Sequence, residues 1–135
     1  MGAANNEIQV QWSSANSVSV SSGSAQTSDA FSFSGGAVDA VATVKADNAG
    51  TPASSDTVDF YLLLSAGDPD GSGANEFPND DSDGHFLARL DTNADDPAIA
   101  TVAIPVGVQG KIYAKSNASS NSITVSACIN EKVVS

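Results

Sequence analysis

Residues 57–64 read TVDFYLLL. In an extended chain Val58, Phe60, Leu62 and Leu64 share one side, with Asp59, Tyr61 and Leu63 on the other. Successive strand side chains point to opposite faces, so this spacing describes a strand with one apolar face. The same period of two recurs along the chain. Ile8, Val10 and Trp12 alternate with Glu7, Gln9 and Gln11, while Val18, Val20, Phe31 and Phe33 are set among serines. In 37–46, Val38, Ala40, Ala42, Val44 and Ala46 share a face, although Val41 makes the other face partly apolar. Phe86, Ala88 and Leu90 alternate with His85, Leu87 and Arg89, and Ala98, Ala100, Val102 and Ile104 with Ile99, Thr101 and Ala103. The runs 111–115 (KIYAK) and 122–130 (SITVSACIN) complete the series, the second with Ile123, Val125, Ala127 and Ile129 together.

No window of helical length carries an apolar stripe of period 3.6. Eight or nine short strands, divided by Ser/Asn/Gly/Asp/Pro clusters at 21–28, 47–56, 65–84, 92–97 and 117–121, predict an all-β fold. The expectation is a single antiparallel β-sandwich, jelly-roll-like, over residues 1–135, with 1–6 as a flexible N-terminus. A chain of this length buries about two-thirds of its unfolded surface, enough for one core.

Five basic residues face sixteen acids, for a net charge of −11. A surface this acidic repels phosphate backbones and anionic membranes, which argues against nucleic-acid and membrane partners. The one cysteine, Cys128, excludes an internal disulfide, and its place on a strand reads as a small packed hydrophobe. The N-terminal MGAANNEIQV has neither a basic segment nor an apolar core, so it does not read as a signal peptide, and production in a cytoplasm is expected.

One stretch stands apart. Residues 68–84, DPDGSGANEFPNDDSDG, hold six carboxylates and no basic side chain. Asp68, Asp70 and Ser72 occupy the first, third and fifth places of a calcium-loop pattern, with Gly73 sixth, but Asn79 stands where a closing Glu belongs. A second partial match runs through Asp81 and Asp83. The flanks read as strands, so calcium is a minor option and no cofactor is required. The main expectation is a long acidic inter-strand loop, anchored through Phe77. Loops of this length often serve binding or contact.

Catalytic equipment is sparse. General acid–base work needs a carboxylate of shifted pKa in a dry site, whereas these acids sit in a Gly/Pro-rich loop. The single His85 lies beside that loop, without a cysteine partner or a G-x-S-x-G elbow. No phosphate-binding glycine pattern is present. Trp12 and Tyr113 could stack on a sugar, but with so few aromatics core packing is the better reading.

Three segments carry a family resemblance: KADNAGTPASSDTVDFYLLLSAGDPDG (45–71), HFLARLDTNADDPA (85–98) and KIYAKSNASSNSITVSA (111–127). Together they resemble small virion structural proteins of tailed bacteriophages. That resemblance implies a non-enzymatic, β-rich decoration or cement protein on the capsid surface. Its partners would be the major capsid protein and further copies of itself, as a dimer or trimer. Candidate contact residues are Ile8, Val10 and Trp12 near the N-terminus, Phe77 in the loop, and Val133 and Val134 at the C-terminal end. The rivals are a neck, tail or fibre-associated virion protein, and a carbohydrate- or calcium-binding β-sandwich module.

Overall fold

The protein, described here over residues 2–135 in a computed structural model, is built from ten strands. They are β1 (Ala3–Gln9), β2 (Val18–Val20), β3 (Ala25–Thr27), β4 (Phe31–Ser32), β5 (Ala37–Asn48), β6 (Thr57–Ser65), β7 (His85–Asp91), β8 (Ala98–Ile104), β9 (Gln109–Ser116) and β10 (Ile123–Val134). No helix occurs among the described residues. One sheet runs β1-β10-β5-β8, with β2 also on β10; the other runs β3-β9-β6-β7, with β4 also on β9. Every pairing between these strands is antiparallel.

Setting β2-β10-β5-β8 over β3-β9-β6-β7 gives the jelly-roll arrangement expected from the sequence. Only β6 and β7 are neighbours both in sequence and in one sheet. The core is the period-two pattern made solid. Val58, Phe60 and Leu62 of β6 and Ile112 of β9 meet Val44 of β5 and Ile123, Val125 and Ile129 of β10, all fully buried. Burial of each such side chain stabilises the fold by about 1.5–3 kcal/mol. Small alanines (Ala42, Ala46, Ala114) fill the remaining inner positions.

Three expectations need correction. Residues 3–6 are not a free N-terminus: β1 pairs along β10 from Ala3 opposite Val134 to Gln9 opposite Cys128. Met1 lies outside the described residues. Val38 is exposed rather than inward, because the β5–β10 register shifts beside it, pairing Asp39 with Lys132 and Ala37 with Val133. One extra residue in a ladder moves its side chain to the other face. Cys128 is half-exposed on the outer face of its sheet, since Ala127 and Ile129 take the inward phase of β10.

The strand expected over Ile8–Trp12 ends at Gln9. Trp12 and Ala15 exchange backbone hydrogen bonds of 2.7 and 3.0 Å around Ser13 and Ser14. Both serines have positive φ (48° and 68°), the backbone of a tight primed turn. Asp29 accepts their two backbone N–H groups, at 3.2 and 2.9 Å, and so offsets the strain.

Candidate functional site

The outer face of β3-β9-β6-β7 carries the distinctive chemistry. On β6 the outward positions are Asp59, Tyr61 and Leu63; on β9 they are Lys111, Tyr113 and Lys115. Register places Tyr61 opposite Tyr113, Asp59 opposite Lys115 and Leu63 opposite Lys111. On the other side of β6 the ladder runs Asp59–Arg89 and Phe60–Ala88, then shifts so that Tyr61 faces Phe86.

That shift decides the character of the face. Leu87 is the extra residue; its side chain packs against the core. Phe86 is thereby turned outward, where it is 59% exposed. The simple alternation in HFLARL put Phe86 inward with Ala88 and Leu90, and the bulge reverses it. Three rings now adjoin across three strands. Phe86 lies 5.5 Å from Tyr61 at an interplanar angle of 71°, and Tyr113 lies 6.2 Å from Tyr61 at 66°. Tyr61 and Tyr113 remain half-buried.

Polar pairs flank the rings. Arg89 grips Asp59 through two hydrogen bonds of 2.6 and 2.8 Å, and Asn117 adds a third at 3.1 Å. The Arg89 hydrogen bond holds the largely buried Asp59 carboxyl below its usual range, against the opposing effect of burial. Across the β6–β9 ladder from Asp59, Lys115 donates to Asp81 at 3.2 Å. The Tyr113 phenol is pushed up, first by burial and then by the nearby negative charge of Asp81.

Asp81 belongs to the acidic loop, which is more than a solvated connection. It joins β6 to β7 and folds back over the outer face, so Leu63 is only 1% exposed although it points away from the core. Gly84 marks the closest approach. A Cβ there would stand 2.9 Å from Leu63 and 3.3 Å from both the Tyr61 Cβ and the Asp80 carbonyl oxygen. Phe77 is half-buried with the Lys111 ammonium 4.4 Å from its ring centroid, so the expected anchor is real. Between loop and sheet lies a groove of about 400 Å³, with Thr27, Leu63 and Lys111 on the sheet side and Phe77 and Asn79 on the loop side.

The candidate metal ligands separate into two groups. Asp68 and Asp70 come together with Glu76, their carboxylate oxygens within 4.8 Å of one another. Ser72 sits beside them, but its backbone N–H donates to Asp68 and Asp70. The Gly73 backbone N–H, 2.6 Å from Asp68, is the main cause holding that carboxyl below its usual range. Asp81 and Asp83, the second partial match, stand elsewhere in the loop: Asp81 accepts from Lys115, and the Asp83 backbone N–H donates to the Asp80 carbonyl. The sequence pattern passed over Glu76, which is placed by its backbone N–H bond to Gly67.

The candidate contact residues also divide. Val10 and Trp12 are 0% and 2% exposed, so they pack the core and offer a partner no surface. The Trp12–Tyr113 stacking pair is thereby excluded. Ile8, Val133 and Val134 are half-buried along the paired ends of β1 and β10.

No family model matches the sequence, and no curated protein does. Similar solved structures include a family 16 carbohydrate-binding module (11% identity, TM-score 0.48, covering 87% of this chain and 79% of that one). A family 35 carbohydrate-binding module from Clostridium thermocellum shows 10% identity and a TM-score of 0.46, covering 93% and 97%. FLHE shows 12% identity and a TM-score of 0.43, covering 99% and 97%. These are likenesses of sandwich architecture, and none assigns a role to a residue of this chain.

Proposed function

We propose that the chain is a non-catalytic carbohydrate-binding module whose ligand face is the outer surface of β3-β9-β6-β7. The observation that carries this reading is the outward turn of Phe86 by the bulge at Leu87, which adds an exposed ring to Tyr61 and Tyr113. Phe86 is 59% exposed despite its edge contact with Tyr61, and sugar rings present C–H faces that pack on such aromatics. Asp59, Arg89 and Asn117 stand beside the rings in a fixed hydrogen-bonded set, suited to orienting hydroxyl groups. The buried carboxyls of Asp56, Asp59 and Glu131 are all held below their usual values, the opposite of what a general acid needs. Calorimetry against a panel of soluble polysaccharides tests the reading. Binding that Phe86→Ala weakens at least about tenfold supports it, on the scale of a hot-spot truncation. A panel-wide absence of binding ends it.

A second reading keeps the virion. The segments that resemble phage structural proteins supply β6, β7 and most of β9, with parts of β5 and β10 in the opposite sheet. Val41 and Ile99 stand exposed on the outer face of the opposite sheet, which would be the side turned to a capsid. Cryo-electron microscopy of particles tests this: capsid-wide density supports a decoration protein, and density at one vertex alone supports a neck or tail protein.

A further inference from the structure

The groove under the acidic loop adjoins the aromatic face at Tyr113, through β9 and β3, whereas on β6 the loop closes over Leu63. Leu63 follows Tyr61 as the next outward residue of β6, and Lys111 precedes Tyr113 on β9. Thr27 pairs with Tyr113 from β3. Two residues of strand advance about 7 Å, so the groove opens one such step from the rings. A chain molecule lying on Phe86, Tyr61 and Tyr113 is therefore led beneath residues 76–79 of the loop. The rings themselves limit what can lie there. At 71° and 66° to one another they form no common plane, so the flat face of a crystalline polymer cannot rest on all three. A single flexible chain can turn to meet each ring in succession.

Charge narrows the choice further. Arg89 and Lys115 are already committed to Asp59 and Asp81. Lys111 has no carboxylate partner among the described residues, but Glu76 lines the same groove. Asp80 stands close enough to oppose ionisation of Tyr113. The surface is acidic locally, in a chain of net charge −11. An anionic glycan would bring repeated charge to within a Debye length of these groups, about 10 Å at moderate salt.

Resting on the carbohydrate reading above, we infer that the ligand is a single soluble chain of uncharged sugars. It lies across the three rings and into the groove, and the acidic loop is the specificity element that turns uronic-acid and sulfated chains away. Thr27, Asn79 and Lys111 supply the polar contacts inside the groove, and Lys111 also holds Phe77 of the loop.

The test is calorimetry with one neutral oligosaccharide backbone and its carboxylated counterpart, at low and high salt, together with a crystalline polysaccharide pull-down. The neutral chain should bind, and its carboxylated form about tenfold more weakly at low salt, the gap narrowing at high salt. Glu76→Gln should narrow the gap at low salt, and Lys111→Gln should weaken the neutral chain severalfold. Equal or tighter binding of the carboxylated chain would overturn the inference while leaving the carbohydrate reading intact. So would capture by the crystalline polymer alone. Failure of every sugar to bind would end both. Circular dichroism of each variant separates a lost contact from a lost fold.

Discussion

Glu131 is a carboxylate with no solvent exposure and, among the described residues, no cation in hydrogen-bonding reach, which makes its replacement informative. It accepts from the Ser34 backbone N–H at 3.2 and 3.0 Å, from the Ser34 hydroxyl, and from Asn6 Nδ2 at 2.9 Å. One side chain thus ties β1, the segment after β4, and β10. Glu131→Gln keeps the shape but sets an amide donor against donors. Hydrogen bonds to a charged group contribute about 1.5–3 kcal/mol each, and losing the better part of one or two gives about 2–3 kcal/mol. For a domain of this size that is about 7–10 °C in Tm, from an unfolding entropy near 2.1 cal/mol/K per residue. Burial pushes the Glu131 carboxyl up, but the Ser34 and Asn6 hydrogen bonds outweigh it and hold the group below its usual value. A depressed carboxyl stabilises the fold fully above its unfolded pKa, about 4.3, and the stabilisation is lost as pH falls through the lower folded value. Scanning calorimetry should show the full gap between wild type and Glu131→Gln at neutral pH, shrinking at acid pH. A variant within about 1 °C of wild type at neutral pH, or a gap independent of pH, would refute the reasoning.

Deleting residues 71–82, joined by a short glycine linker, should leave a folded sandwich that is less stable by about 1.5–3 kcal/mol, because Leu63 loses its cover. Urea unfolding measures this; an unchanged midpoint would mean the loop is a mere connection. Ser14→Gly should raise stability by about 1 kcal/mol, because glycine adopts the positive φ at that position without penalty. A fall in Tm would show that the Ser14 side chain matters more than its backbone. Leu62→Ala, at a fully buried inner position of β6, should cost about 2–5 kcal/mol in chemical denaturation, and a cost below about 1 kcal/mol would contradict the core assignment.

The fold was legible because the inner strands are regular. TVDFYLLL, AIATVAI and SITVSACIN each keep one phase from end to end, and one phase fixes a face. What escaped were the places where a ladder gains a residue. Val38 and Phe86 each sit beside a register shift, and period-two counting assigns both to the wrong side. A bulge depends on the partner strand, which no local pattern contains. Trp12 misled for a related reason. Its inward phase was read correctly, but the turn at Ser13 and Ser14 seats it in the core rather than on an accessible edge. The site followed from the same gap. Tyr61 and Tyr113 are outward by simple alternation, but without the bulge Phe86 does not join them. The loop's length and anchor at Phe77 were readable; that it folds over Leu63 depends on a close approach at Gly84 that only the tertiary structure contains.

The central claim is that the outer face of β3-β9-β6-β7 binds sugar, and backbone-resolved NMR during titration with a neutral oligosaccharide tests it most directly. The account predicts shifts concentrated at Tyr61, Phe86, Arg89, Lys111 and Tyr113, with Val41 and Ile99 on the opposite sheet unmoved. Shifts centred on the opposite sheet, or none with any sugar, would contradict it.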